Sequence, residues 1–180
     1  MRAINVVTVA LCVGGLLSGC AAAQRAMPGT LSNANVVSLL NTIDVSELEA
    51  AQLAKQKATS QAVRTYATRL IDDHTDMMQK NTQLANRMKV QPDKPQLASA
   101  MESTHQKTMN ELRNKSGQDF DRSYMAYQVT MHEEALRLVE QTADSADDSR
   151  LKQHLIQARP DLQSHLTAAQ NLQRQLVAKQ

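Results

Sequence analysis

The chain has 180 residues, 20 Lys and Arg against 18 Asp and Glu, a formal net charge of +2 and 2% aromatic residues. So balanced a charge leaves no electrostatic footprint for nucleic acid, and Tyr66, Phe120, Tyr124 and Tyr127 are too few for a base-stacking platform. The core must come from Leu, Ala, Val and Met, and the abundance of Ala, Leu, Gln, Lys and Met predicts an all-α protein.

The chain begins with Arg2 and an apolar run, INVVTVALCVGGLL, of fourteen residues. That is the length of a signal-peptide core and short of the ~20 residues a membrane-spanning helix needs. It ends in Leu17-Ser18-Gly19-Cys20, which resembles a bacterial lipobox. This predicts a lipoprotein signal peptide over residues 1–19, cleavage before Cys20 and acylation (palmitate among the chains) of that cysteine. Several acyl chains at ~0.8 kcal/mol per buried methylene make a lasting membrane anchor. By resemblance to Gram-negative lipoproteins, Ala21 rather than Asp after the cysteine implies the periplasmic face of the outer membrane. Cys12 leaves with the signal and Cys20 takes lipid, so the folded part has no thiol for a disulfide or a thiolate metal site.

Residues 20–32, CAAAQRAMPGTLS, read as a flexible tether reaching at most ~40 Å. A bundle domain over residues 33–178 follows. Helix one is expected from Asn33 or Asn35 to Ala58, with Val36, Leu40, Ile43, Ala50 and Ala54 in one stripe and Glu47 written into it. Ser60 is a candidate cap for helix two, where Val63, Tyr66, Ala67, Leu70, Met77, Leu84 and Met88 keep the same spacing and His74 joins them. Pro92 and Pro95 end that helix. A weaker amphipathic connector, about Gln96 to Lys115, carries Leu97, Met101, Met109 and Leu112 and is stopped by Gly117.

Asp119 is a candidate cap for helix four, expected over Phe120 to Ala143. Its inward residues are Phe120, Tyr124, Met131, Ala135 and Leu138, with Met125, Leu136 and Val139 on an adjoining ridge. A one-position rotation decides whether Met131 or His132 faces inward. Asp147 or Asp148 caps the last helix, whose seam is Leu151, Leu155, Ala158, Leu162, Ala169, Leu172 and Leu176, with His165 at one position. Pro160 inside it predicts a kink. Two tight hairpins joined by a crossover of more than twenty residues describe a ferritin-like four-helix bundle, with the long helical crossover between helices two and four.

Glu47, His74, His132 and His165 therefore fall one on each long helix. Bundles build metal sites from carboxylates and imidazoles gathered in this way. The di-iron version needs two Glu-x-x-His pairs, and the residues three before the histidines are Ile71, Val129 and Leu162. A mononuclear site stays open, in which two or three imidazoles with one carboxylate would suit zinc, copper or iron, and Met77 and Met131 nearby would suit Cu(I). The reading preferred over it is structural, in which the histidines hydrogen-bond to Glu47, to the core tyrosines Tyr66 and Tyr124 or to backbone carbonyls and fix helix register. His105 and His154 lie off the seams and read as surface residues. No nucleophile with a neighbouring base and no phosphate loop stands out, so the chain reads as no enzyme.

Several stretches carry a family resemblance. ELEAAQLAKQKA from Glu47, VRTYA from Val63 and LIDDH ending at His74 lie in the first half. FDRSYM from Phe120, HEEALRL from His132 and PDLQSHLTAAQ from Pro160 lie in the second. Over about residues 33–176 the chain resembles the bacterial domain of unknown function 4142, whose members are often labelled outer-membrane proteins. The resemblance implies a ferritin-like helical fold in exported, often lipidated proteins, and maps the family's motif residues to Glu47, His74, His132 and His165. Where the family commonly has a glycine after the early glutamate, this chain has Ala51 or Gln52. The function expected is that of a non-enzymatic envelope lipoprotein with a structural or stress-related role. Its rival is a periplasmic metal-binding protein. Partners beyond the membrane are not identified by the sequence.

Overall fold

The computed structural model describes residues 31–178. The expected signal peptide, Cys20 and the tether up to residue 30 lie outside the described residues. Five helices follow: α1 (Asn33–Lys57), α2 (Gln61–Met88), α3 (Gln96–Arg113), α4 (Gly117–Ser145) and α5 (Ser149–Val177), with no strand among the described residues.

Local chemistry accounts for most of the boundaries. Ser32 caps α1 in a reciprocal box: its hydroxyl accepts from the Asn35 amide at 3.1 Å, while the Asn35 side-chain oxygen accepts from the Ser32 amide at 3.2 Å. Lys89, with φ 56°, closes α2 in the left-handed conformation just before the two prolines. Asp148 caps α5 by accepting from the Arg150 amide at 2.8 Å. The helix continues through Pro160 to Val177.

Two expected caps are corrected. Ser60 makes no side-chain cap bond. In its place Asp121, buried on α4, accepts from the amides of Thr59 and Ser60 at 3.0 and 2.8 Å and from the Thr59 hydroxyl at 2.6 Å. A carboxylate from another helix thus satisfies the amides of the N-cap residue and of the residue before it, and pins the α1–α2 turn to α4. Asp119 does not cap α4 either. The helix already starts at Gly117, which has φ +59°, and Asp119 lies in its first turn, paired with Arg122. Asp121→Ala strands two backbone donors at once, so we expect it to cost about 3 kcal/mol in denaturant unfolding. Asp121→Asn, which still accepts, should cost less than half of that, and equal costs would deny the carboxylate this role.

α1 and α2 form one hairpin across residues 58–60, and α4 and α5 a second across 146–148. The hairpins meet along α2–α5 and α1–α4, and both seams are slighter than the packing within each hairpin. The crossover starts beside the N-terminus of α1, where the Asp93 amide donates to the Ala34 carbonyl at 3.2 Å. It ends beside the C-terminus of α1, where Lys57 Nζ donates to the Arg113 carbonyl at 2.5 Å. α3 therefore runs the length of the bundle against α1 and α4. It follows that α4 is parallel to α2, and α5 to α1.

Apolar packing forms two separate clusters. One gathers Val36 to Ile43, Leu84 to Met88, Ala135 to Ala143 and Leu151 to Leu166. The other gathers Ala50 to Ala58, Val63 to Leu70, Phe120 to Met125 and Ala169. In the gap each long helix contributes buried polar side chains: Asp44 and Glu47, His74 and Asn81, Gln128 and His132, and His165. A polar layer across the middle of a hydrophobic core costs stability unless its members find partners. How they do so defines the site.

Candidate metal centre

The imidazoles of His74, His132 and His165 are fully buried and mutually adjacent, with ring centroids 5.8, 5.4 and 5.3 Å apart. One ring nitrogen from each lies within 4.8 Å of the other two. On α4 the inward residue is His132, whereas Met131 is half-buried. The helix thus takes the rotation that places an imidazole, and not a thioether, in the layer.

Each ring is held from behind. His74 Nδ1 lies 2.8 Å from Asp44 Oδ1. His132 Nδ1 donates to the Gln128 carbonyl at 2.9 Å, and His165 Nε2 donates to Asp73 Oδ2 at 2.7 Å. The opposite nitrogens, His74 Nε2, His132 Nε2 and His165 Nδ1, are buried and have no hydrogen-bond partner among the described residues. A carbonyl can only accept, so His132 must carry its proton on Nδ1 and, when neutral, present a lone pair at Nε2. The same logic holds at His165. Although burial alone would raise its acid, Asp73 is held below the usual carboxylate range by the hydrogen bond from His165 and by Arg69, and so is an acceptor. At His74, burial raises the Asp44 carboxyl well above its ordinary value, while Asn81 Nδ2, donating to Asp44 Oδ2 at 2.7 Å, favours the charged acceptor.

Burial pushes His74 and His165 down to about 4. Both are therefore neutral at neutral pH, as metal ligands must be. At His132 and His165 the inward lone pair is fixed by a carbonyl or carboxylate on the far nitrogen, the arrangement by which metal-binding histidines are oriented, and His74 presents a third when Asp44 is ionised.

Glu47 is buried beside this group, outside the nitrogen triad. Its Oε1 lies 3.8 Å from His132 Nδ1, and its Oε2 accepts from Gln128 Nε2 at 2.8 Å. Tyr66 extends the chain, 3.3 Å from both Gln128 Oε1 and the His165 carbonyl. Tyr124, also buried, has no partner for its hydroxyl among the described residues.

His105 and His154 are not the surface residues the sequence suggests. His105 is buried, with Nδ1 2.8 Å from the Tyr127 hydroxyl and Nε2 3.1 Å from Glu49, on the face where α3 covers α1. Half-buried His154 reaches Asn81 Oδ1 at 2.8 Å. Both are satisfied, so neither resembles the triad. Asp44, Asn81 and Gln128 were missed by the sequence reading. Asn81 and Gln128 nevertheless continue the helical spacing of their histidines, at seven residues after His74 and four before His132. Asp73 lies out of phase with the inward stripe of α2 and reaches His165 from the side.

No curated protein and no solved structure matches the chain. A family model matches residues 18–172. All-helical, and matched over most of its length, the chain belongs to the family described as Domain of unknown function (DUF4142).

Proposed function

We propose that this is an envelope metal-binding protein, in which His74, His132 and His165 coordinate one first-row transition-metal dication inside the bundle. The observation that carries this reading is three buried, adjacent imidazoles, each with one ring nitrogen that has no partner among the described residues. Were the histidines struts alone, a satisfied network would be expected, as at His105. Three imidazoles without thiolate suit zinc, and equally copper, iron or nickel. At Zn–N distances of 2.0–2.1 Å a tetrahedral ion needs nitrogens roughly 3.3 Å apart, which small rotations of the rings would reach. Asp73, held ionised by His165 and Arg69, supplies part of the negative charge that a buried dication requires. Three protein ligands leave a coordination position for water or an exogenous group. Glu47 acts behind the ligands, through Gln128 and His132, rather than as a ligand itself.

The L-S-G-C of residues 17–20 supports a lipid anchor at Cys20 and a place at the periplasmic face of the outer membrane. The charge balance supports no nucleic-acid role. The test is elemental analysis of the chain purified without a histidine tag, beside the variant with His74, His132 and His165 all replaced by Gln. We expect near-stoichiometric metal in the first and none in the second. Failure of the native protein to hold or take up zinc, copper, iron or nickel would return the histidines to a packing role.

A further inference from the structure

The triad is sealed: its three histidines are 0, 1 and 0% exposed, so a metal reaches it only through the bundle. A cavity of about 90 Å3 adjoins it, with side chains from all four long helices in its wall. Met77 lies three residues after His74, Ala135 three after His132 and Leu162 three before His165, and all three line this cavity. Because α4 is parallel to α2 and α5 antiparallel to it, these offsets step one turn in the same direction along the bundle. The cavity is thus the layer next to the triad. Asp44, also in its wall, is the carboxylate that holds His74.

The cavity faces outward at the α2–α5 seam. There half-buried Met77, His154 and Ala158 and exposed Lys80, Gln157 and Asp161 line it. This seam joins the two hairpins and is more lightly packed than either hairpin, so it is where separation disturbs least packing. A void needs ~10–15 Å3 to admit one water, and a water's share of the liquid is ~30 Å3, so the space takes about three waters or a partly dehydrated ion.

We propose that this cavity is the route by which the metal ion passes between solvent and the triad. Ions shed water along it, and Asp44 is the last oxygen ligand before the imidazoles. The proposal rests on the metal-site reading given above. It differs from that reading in predicting rates rather than affinity, because residues that line a route lower the barrier without changing the end states.

The test is stopped-flow loading of the full chain with Co2+, followed by its visible absorption, and release into excess chelator. Ala158→Phe, which fills the cavity, should slow loading and release together by about tenfold and leave the equilibrium Kd unchanged. Lys80→Ala, which removes a cation and a long side chain from the mouth, should accelerate both. This variant keeps the test alive should the filled variant not fold. Ile156→Trp, exposed on α5 and absent from the cavity wall, should load at the native rate. Native rates in both cavity variants would overturn the route and leave the site standing. A native chain that gives no cobalt signal would overturn the site, and the route with it.

Discussion

If the triad holds a metal as proposed, chelation should lower the thermal midpoint of the protein by about 10 °C, and His132→Ala should abolish that difference. A ligand that binds only the folded state stabilises it by mass action, ~4 kcal/mol at a thousandfold excess over Kd. For a domain of 150–250 residues each kcal/mol is worth about 2–4 °C. His132 is the decisive position because its tautomer is set by the Gln128 carbonyl. His105→Ala is the matched control: it removes a buried and satisfied imidazole away from the triad. It should lower the midpoint by the same amount with and without metal. Equal losses with and without metal for His132→Ala as well would mean that its imidazole serves packing alone.

Without metal, stability should fall steeply as pH drops from about 6.5 to about 4. In the unfolded chain a histidine takes up its proton near 6.5, whereas His74 and His165 do so only at about 4 in the fold. Between those values the unfolded state binds more protons, so acid favours unfolding, and below about 4 the loss levels off. The gap corresponds to on the order of 3 kcal/mol for each histidine, and less for the pair, since protonating one ring disfavours the other. Asp44 acts in the opposite sense, because burial raises its carboxyl and protonation there favours the fold as pH falls. The comparison is therefore the native protein against the His74→Gln, His165→Gln double variant, in denaturant titrations at stepped pH. The variant should lose most of the slope between pH 6.5 and 4. An unchanged slope would show that other groups govern acid unfolding.

What the chain reveals without its fold follows from helical period. Apolar residues three and four apart, with prolines at 92 and 95 and the one glycine beyond the tether, Gly117, determined five helices, their order and the long crossover. The same spacing placed Glu47, His74 and His165 in the buried stripes, since a residue in phase with the apolar positions points where they point. It left His132 and Met131 in competition, because adjacent positions differ by about 100°, no more than the width of a buried stripe, so both can fall within it.

Only the tertiary structure decided which polar residues meet. Asp73 lies outside the inward stripe of its own helix yet reaches His165, because α2 and α5 face each other at that level. Asp121 accepts from the Ser60 amide at the start of α2, 61 residues earlier in the chain. His105 is buried because α3 covers α1, a docking that a weak amphipathic pattern does not specify. Helical phase is a local property, fixed by 3.6 residues per turn. The axial level at which two helices face each other depends on packing along their whole length, and that level turned three separate histidines into one cluster.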